Sequence, residues 1–350
     1  MRSMKPRSTV PVNTIICIGA LLCLFFPDPG WCVPVLKDTS KHPPSGRYLS
    51  SHAHTTTRSV TTLGSYRNVS VKKPVSFIAD LTRRFHPNLI SAKSIIVIDA
   101  ASGKTLYSRS PDSPRQPAST IKVLTGLIAM DTLTNRQKVA VSRKAARQPR
   151  SKVYLDQRRT YRATDLINAV LLASANDASV ALAEKIAGSE KNFASRMTKL
   201  ARRLGATNTV CKTASGLTAK GQKSTARDLA IIFRRAMQDG EFASRMKHAK
   251  IKTADGTLLR NHNKALWQID GALGGKTGYT SAARQTYVGK FRRGGDEIVV
   301  AIMGSETMWG DLKRLVNYGF ARKKQLAAAS QSSRTTDRTA AIGIPTQPHG

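Results

Sequence analysis

Acidic residues are scarce in this 350-residue chain, where 21 Asp and Glu stand against 57 Lys and Arg. The resulting formal charge of +36 favours anionic partners, among them nucleic acid, anionic lipid and acidic polymers. The basic residues are spread along the chain and no nucleic-acid-binding motif accompanies them, so we predict no nucleic-acid partner. An anionic membrane surface stays open as a partner.

Cysteines that could form disulfides and clustered metal-ligating residues are also few. Two of the four cysteines lie inside an apolar run near the N-terminus, which leaves too few for a disulfide framework. No H-E-x-x-H motif occurs, and His86, His248 and His262 are isolated in the sequence. We therefore predict no metal ion and no other cofactor, and a metalloprotease is disfavoured.

Long apolar runs are limited to residues 14–26, TIICIGALLCLFF, which follow a start with three basic and no acidic residues. This run is too short to span a bilayer comfortably, and its basic flank is typical of a signal peptide. We predict that residues 1–32 form a signal peptide or an uncleaved N-terminal anchor, and that the chain is exported.

Composition separates the rest of the chain into three parts. Residues 33–85 are rich in Ser, Thr, Pro, Lys and Arg without apolar periodicity, which predicts a flexible basic linker. Residues 326–350 turn to Ala, Ser, Thr, Arg and Pro, and we expect a disordered tail there. Residues 86–325 are predicted to form the single folded domain.

Strand signals stand at both ends of this domain. Residues 94–109 predict one hairpin around a Ser-Gly turn, and residues 286–304 predict another. Residues 164–236 show helical apolar spacing, and a closing helix is expected over residues 309–322. The pattern predicts an α+β fold, in which an antiparallel β-sheet built from both ends of the domain is flanked by helices and carries a helical subdomain.

The first of three short motifs is PASTIK, residues 117–122, at the start of an apolar helical run. Ser119 and Lys122 are three residues apart, so they share a helix face and the hydroxyl can meet the amine. Serine is a poor nucleophile unless a base takes its proton, and a lysine can do so when a second cation lowers its pKa. The motif predicts Ser119 as nucleophile and Lys122 as base, although S-x-x-K alone is common.

The second motif is Ser174-Ala175-Asn176, at the end of a predicted helix. A hydroxyl and an amide two residues apart on a short loop can both face a cleft. We expect Ser174 to relay a proton to a leaving amine, and Asn176 to bind the substrate backbone and hold the lysine. An ordinary helix cap is the alternative interpretation.

The third motif is Lys276-Thr277-Gly278, within GGKTGYTSA and before the late hairpin. On an edge strand, Lys276 would supply the second cation and Thr277 a hydroxyl for a terminal carboxylate. Gly278 would leave room for a substrate lying against the strand. A glycine-rich turn is the alternative interpretation.

The order S-x-x-K, S-x-N, K-T-G is the signature of the active-site-serine, penicillin-recognising enzymes. From about residue 90 to about residue 320, the chain resembles the low-molecular-mass D-alanyl-D-alanine carboxypeptidases, the penicillin-binding proteins of serine peptidase family S11. The segments that carry the resemblance are SAKSIIVIDAASGKTLYSRSPDSPRQPASTIKVLTG, LLASANDASVALAE, ASGL, STARDLA, NHNKAL and GGKTGYTSA.

The resemblance implies a β-lactamase/DD-peptidase-like fold and a metal-free carboxypeptidase that trims peptidoglycan stem peptides through an acyl-enzyme on Ser119. The backbone N–H groups of Ser119 and Tyr279 would form the oxyanion hole, and β-lactam antibiotics would acylate the same serine. It also implies a bacterial enzyme of the periplasm or of the outer face of the cytoplasmic membrane, with residues 86–325 as its catalytic domain.

Some residues depart from the family pattern. Members often carry an Arg shortly after the final strand that binds the substrate carboxylate, but here residues 308–311 read MWGD. A glycine is also common near Ala283-Arg284. A DD-endopeptidase that cuts cross-links therefore stays an alternative. A class A β-lactamase is disfavoured because its glutamate motif is absent, and an inactive wall-binding module because the motif side chains are intact.

Overall fold

The computed structural model of the chain describes residues 85–341, and side chains as far as residue 330. The predicted leader, residues 1–32, and nearly all of the predicted linker, residues 33–85, lie outside the described residues and stay predictions. Within the described part of the chain, no helix has the length and apolar character needed to cross a bilayer.

An antiparallel β-sheet organises the domain. The strands are β1 Ser94–Asp99, β2 Thr105–Arg109, β3 Lys138–Ala140, β4 Thr160–Arg162, β5 Lys250–Lys252, β6 Leu258–Arg260, β7 Ala272–Thr280, β8 Arg284–Arg293 and β9 Asp296–Ser305. Five of them form the sheet in the order β2-β1-β9-β8-β7, and the pairs β3–β4 and β5–β6 form two small ribbons. Because β1 pairs with β9, the sheet is built from both ends of the domain, as the sequence predicts.

Helices lie mainly between β2 and β7, and one long helix follows β9. They are α1 Lys122–Thr132, α2 Arg143–Ala146, α3 Ala163–Leu171, α4 Asn176–Ala187, α5 Glu190–Arg203, α6 Ala226–Ala236, α7 Gly240–Lys247, α8 Ala265–Gln268 and α9 Met308–Ala341. Side-chain caps set several starts: the hydroxyls of Ser189 and Thr225 accept N–H bonds from the first turns of α5 and α6. Gly188, with φ +71°, ends α4 in the left-handed conformation that glycine favours.

The sheet is covered on both faces, because successive side chains of a strand point in opposite directions. Every residue of β1 is buried. Its Ile96 and Ile98 join the larger core shared with helices α1 to α7, whereas Ile95 and Val97 pack with the apolar face of α9. β1 therefore lies between two helical layers. The short 3-10 segment Ala118–Ile121, which leads into α1, contacts the edge strand β7.

Helix α9 is longer than the sequence pattern indicates. The prediction ended this helix at residue 322 and expected a disordered tail over residues 326–350, but the helix continues to Ala341. Three consecutive alanines at 327–329 have high helix propensity, and the stretch from residue 320 to residue 342 contains no glycine or proline. The helix therefore extends into the predicted tail, residues 326–350, whose last nine residues lie outside the described part of the chain, and the disorder of that tail stays a prediction.

A buried carboxylate ties the start of the domain to its end. Asp311, in the first turn of α9, is fully buried. It accepts hydrogen bonds from the N–H groups of Ser91 and Ala92, at 3.1 and 2.9 Å, and from the hydroxyls of Ser91 and Ser305, both at 2.7 Å. The Ser91 hydroxyl in turn accepts the N–H of Glu306 at 2.9 Å. Asp311 therefore fixes the turn that follows β9.

Replacement of Asp311 by alanine should lower the free energy of unfolding by about 3 kcal/mol, because several buried donors lose their acceptor. Urea unfolding followed by circular dichroism measures the difference. The matched control is Asp131→Ala, since Asp131 is exposed on α1 and its side chain makes no ion pair or hydrogen bond to the described residues. A loss no larger than that of the control would contradict the anchoring role of Asp311.

Candidate active site

The three motifs meet at one cleft of about 440 Å³. S-x-x-K comes from the turn that enters α1, S-x-N from the loop between α3 and α4, and K-T-G from edge strand β7. A larger groove of about 770 Å³ lies among α1, α5, α6 and α7, but it contains no motif residue. The chemistry-bearing side chains therefore point to the smaller cleft.

The proposed nucleophile lies on a tightly packed turn. Ser119 belongs to a short 3-10 segment, and the preceding Ala118 has φ +50°, a strained value for a non-glycine residue. A Cβ atom on Gly216 would lie 2.0 Å from the carbonyl oxygen of Ala118. A Cβ atom on Gly278 would lie 2.8 Å from the backbone nitrogen of Ser119. Gly278 thus makes room for the nucleophile turn, a role that the sequence alone did not predict, and the expectation that it also leaves room for substrate stays a prediction.

The amine of Lys122 is fully buried behind the cleft. Its Nζ lies 2.8 Å from Ser119 Oγ, 2.7 Å from Asn176 Oδ1 and 2.7 Å from the carbonyl oxygen of Ser215. Burial lowers the pKa of Lys122 well below its usual value, and the charge of Lys276 lowers it further. The base predicted from the motif is thus in contact with the hydroxyl it would deprotonate.

The three partners of Lys122 also orient its lone pair. The amide oxygen of Asn176 and the carbonyl oxygen of Ser215 can only accept hydrogen bonds. A neutral amine has two protons, so both are used on these two acceptors. The lone pair then faces Ser119, whose hydroxyl is the partner that can donate. This arrangement suits proton transfer from the serine to the lysine.

The orientation of Asn176 is itself determined by its surroundings. Its Nδ2 donates to the carbonyl oxygens of Pro149 and Arg150, at 2.9 and 3.1 Å, so its oxygen must face the lysine. The buried carboxylate of Asp177 accepts hydrogen bonds from the N–H groups of Val153 and Leu155 and so holds the same loop. The start of α4 therefore positions the base through the 149–155 loop.

A second lysine supports the second serine. Lys276 is buried, and its Nζ donates to Ser174 Oγ at 2.8 Å and to the carbonyl oxygen of Thr277 at 2.9 Å. Burial lowers the pKa of Lys276 to about 7, so the amine can exchange a proton near neutral pH. Ser174 lines the cleft, so the hydroxyl that contacts this amine belongs to a residue at the cleft wall.

The structure brings all of the sequence-predicted site residues to this cleft. The two lysines lie behind its wall, and the remaining predicted residues line it: Ser119, Ser174, Asn176, Thr277, Gly278 and Tyr279. No group of three His, Cys, Asp or Glu side chains within the described part of the chain is arranged to hold a metal ion.

Two contributors were missed by residue-level reasoning. Ser215 acts through its backbone carbonyl, which no side-chain pattern reveals, although it lies in the quoted ASGL segment. His262 lines the cleft, and its partial burial together with the charges of Lys276 and Lys122 lowers its pKa to about 4. It lies in the NHNKAL segment, residues 261–266, but it is isolated from other candidate residues in the sequence, so no motif indicates it.

Comparison with known proteins agrees with this geometry. The chain matches the peptidase S11 family, described as D-alanyl-D-alanine carboxypeptidase, over residues 82–307. The D-alanyl-D-alanine carboxypeptidase DacB2 of Mycobacterium tuberculosis is 38% identical over 250 residues, which cover 68% of this chain and 86% of the relative. DacF of Bacillus subtilis, of the same description, is 32% identical over 62% of this chain, and the match spans 58% of that longer relative.

A solved structure gives the same result for the fold. Penicillin-binding protein D2 from Listeria monocytogenes, in its cefotaxime-bound form, superposes with a TM-score of 0.62 at 28% identity. The match covers 67% of this chain and 100% of that one. The predicted α+β, DD-peptidase-like fold is confirmed. Because the family match covers more than half of the sequence and includes all three motifs, this chain belongs to the S11 family of D-alanyl-D-alanine carboxypeptidases.

Proposed function

We propose that this chain is a serine-type D-Ala-D-Ala carboxypeptidase that trims peptidoglycan stem peptides through an acyl-enzyme on Ser119. The observation that carries the proposal is the 2.8 Å contact between Lys122 Nζ and Ser119 Oγ, with two obligate acceptors on the same amine. The names of the relatives support the reaction class.

In the acylation step, Ser119 Oγ attacks the carbonyl carbon of the penultimate D-alanine while Lys122 takes the hydroxyl proton. The backbone N–H groups of Ser119 and Tyr279 would stabilise the developing oxyanion. The packing of Gly278 against the nitrogen of Ser119 supports this, because it brings the strand that carries Tyr279 next to the nucleophile turn.

Departure of the terminal D-alanine requires a proton on its amine. Ser174 is suited to deliver it, because its hydroxyl contacts Lys276, whose pKa lies near 7. Water then attacks the ester carbonyl and gives a proton back to Lys276 through Ser174. The bond to Ser119 Oγ breaks as Lys122 returns its proton to that oxygen, which releases the shortened peptide. The bound peptide would lie along β7, which is an edge strand of the sheet, and Thr277 would offer its hydroxyl to the terminal carboxylate.

The same serine would be acylated by β-lactams, as the cefotaxime-bound relative supports. Because the proposed substrates are cell-wall peptides, we infer that the enzyme acts outside the cytoplasm, in the periplasm or on the outer face of the cytoplasmic membrane. The basic start and apolar run within residues 1–32 support export, and the formal charge of +36 supports contact with an anionic membrane surface.

A fluorescent penicillin should label the wild-type protein covalently, and Ser119→Ala should abolish the label because Ser119 is the only hydroxyl or thiol among the described residues that is hydrogen-bonded to the Lys122 amine. In-gel fluorescence measures the label, and circular dichroism checks that the variant is folded. An unlabelled wild type, or equal labelling of both proteins, would contradict the proposed nucleophile.

The products of the wild-type enzyme distinguish carboxypeptidase from endopeptidase. We expect free D-alanine from monomeric pentapeptide muropeptides and no loss of cross-linked dimers, as measured by chromatography and mass spectrometry. Conversion of dimers to monomers without release of D-alanine would favour the endopeptidase instead.

Removal of the charge of Lys276 should shift the pH dependence of acylation. The pKa of Lys122 is lowered partly by this charge, so it rises in Lys276→Met, and the acid limb of the acylation rate moves to higher pH. Lys276→Arg keeps the charge and should leave the limb near its original pH. The measurement is the second-order rate constant of acylation by a penicillin as a function of pH. If the acid limb lies at the same pH in all three proteins, the charge of Lys276 does not lower the pKa of Lys122 and the prediction fails.

Gly278→Ala should lower the acylation rate by about 100-fold, because a misplacement of the nucleophile turn of about 1 Å has effects of that size. The added Cβ would meet the backbone nitrogen of Ser119 at 2.8 Å and Thr286 Oγ1 at 2.5 Å. Gly240→Ala is the control, since nothing lies within 4 Å of its Cβ position. Equal acylation rates in the two variants would show that the close packing is not required.

A further inference from the structure

The proposed function puts the free carboxylate of the substrate beside Thr277, where a nearby cation could bind it. Residues 308–311, which begin helix α9 next to the cleft, read MWGD and offer no cation, and Asp311 is buried in the anchor described above. Two exposed guanidinium groups belong to segments that line the cleft. Arg150 lines it directly, and Arg284 begins strand β8 beside the cleft-lining Gln285. These two are the candidates for a carboxylate-binding cation.

Arg284 lies at the end of the β7–β8 hairpin that carries the K-T-G motif. It pairs with Thr280, one register position beyond the pair formed by Tyr279 and Gln285. Both members of that inner pair line the cleft. The Arg284 backbone therefore stands at the outer end of the cleft, on the same hairpin as Thr277.

The guanidinium of Arg284 is oriented by a carboxylate. Its Nε donates to Glu306 Oε1 at 2.8 Å, and its Nη2 donates to Glu306 Oε2. This pairing uses one edge of the planar guanidinium. The edge formed by Nη1 and Nη2 retains donors, and Nη1 has no hydrogen-bond partner among the described residues. A second carboxylate can bind that edge in a bidentate manner.

The support for this orientation extends into the core. The backbone N–H of Glu306 donates to the hydroxyl of Ser91, which donates to the buried carboxylate of Asp311. Arg284 itself has φ +55°, a conformation that favours glycine. An arginine therefore stands where the backbone favours glycine, and strain of this kind is concentrated at functional sites.

We propose that Arg284, oriented by Glu306, binds the free carboxylate of the substrate and makes the enzyme selective for it over the corresponding amide. This rests on the proposed function. Arg150 is less suited, because its Nε already donates to the hydroxyl of Tyr154. Its carbonyl oxygen accepts a hydrogen bond from Asn176, so Arg150 lies on the side of the cleft formed by the S-x-N motif and not on the β7–β8 hairpin. Arg284 shares a hairpin with Thr277, whose hydroxyl we assign to the same carboxylate.

The test compares diacetyl-Lys-D-Ala-D-Ala with its C-terminal amide, using kcat/KM for release of the last residue. The variant is Arg284→Gly, because glycine suits the backbone and the protein should fold with an unchanged or higher Tm. We expect kcat/KM for the acid to fall by about 10- to 100-fold, the range for lost charge-assisted hydrogen bonds. The amide should be hydrolysed at the wild-type rate within about 2-fold.

Two controls isolate the role of the guanidinium. Arg292→Ala removes another arginine of β8, which is paired with Glu297 at the far end of the strand, and it should leave the acid preference unchanged. Arg284→Gly/Glu306→Gln removes both charges of the pair. The loss of acid preference should persist in this double variant, whereas its restoration would show that Glu306 merely repels the substrate and would overturn the proposal.

The remaining outcomes are distinct. If the wild type hydrolyses neither peptide, the proposed function fails and the inference that rests on it fails too. If the wild type hydrolyses the acid and Arg284→Gly keeps the full preference, only the role of Arg284 is overturned. Loss of the preference in Arg150→Met, with the preference intact in Arg284→Gly, would assign the carboxylate to Arg150 and likewise overturn the proposal.

Discussion

The buried amine of Lys122 is the feature on which the rest of the site depends. An amine taken out of water is stable only if its hydrogen bonds are replaced, and three segments far apart in the chain supply the replacements. They are the turn of Ser119, the start of α4 at Asn176 and the loop of Ser215. The same burial that requires these bonds lowers the pKa of the amine, so structural stability and basicity have one physical origin.

Close backbone packing fixes these segments relative to one another. Gly216 and Gly278 approach the nucleophile turn from two sides, where any side chain would collide with the backbone of Ala118 or Ser119. Asp177 holds the loop that orients Asn176. Because each contact leaves little room for adjustment, the hydroxyl of the nucleophile is presented in one geometry before a substrate arrives.

Much of the architecture could be predicted from residue patterns because it depends on short-range chemistry. The apolar run of β1 and the late hairpin predict a sheet assembled from both chain ends, and the pairing of β1 with β9 confirms it. The predicted end of α9 at residue 322 was wrong, because the helix continues through the alanines that follow residue 326. The direction of Gly278 and the carbonyl of Ser215 could not be predicted, because both act through backbone contacts between distant segments.

The sequence by itself determined the reactive groups and their order: a serine three residues before a lysine, a Ser-x-Asn loop and a Lys-Thr-Gly strand. Spacing along a helix or strand is local, so these pairs could be recognised without a structure. Only the tertiary structure decided which protons Lys122 can accept and which way Asp311 faces. The protons that Lys122 can accept depend on three contacts with segments up to about 100 residues away in the chain. The direction of Asp311 depends on its burial against Ser91, so neither property is encoded in a short stretch of sequence.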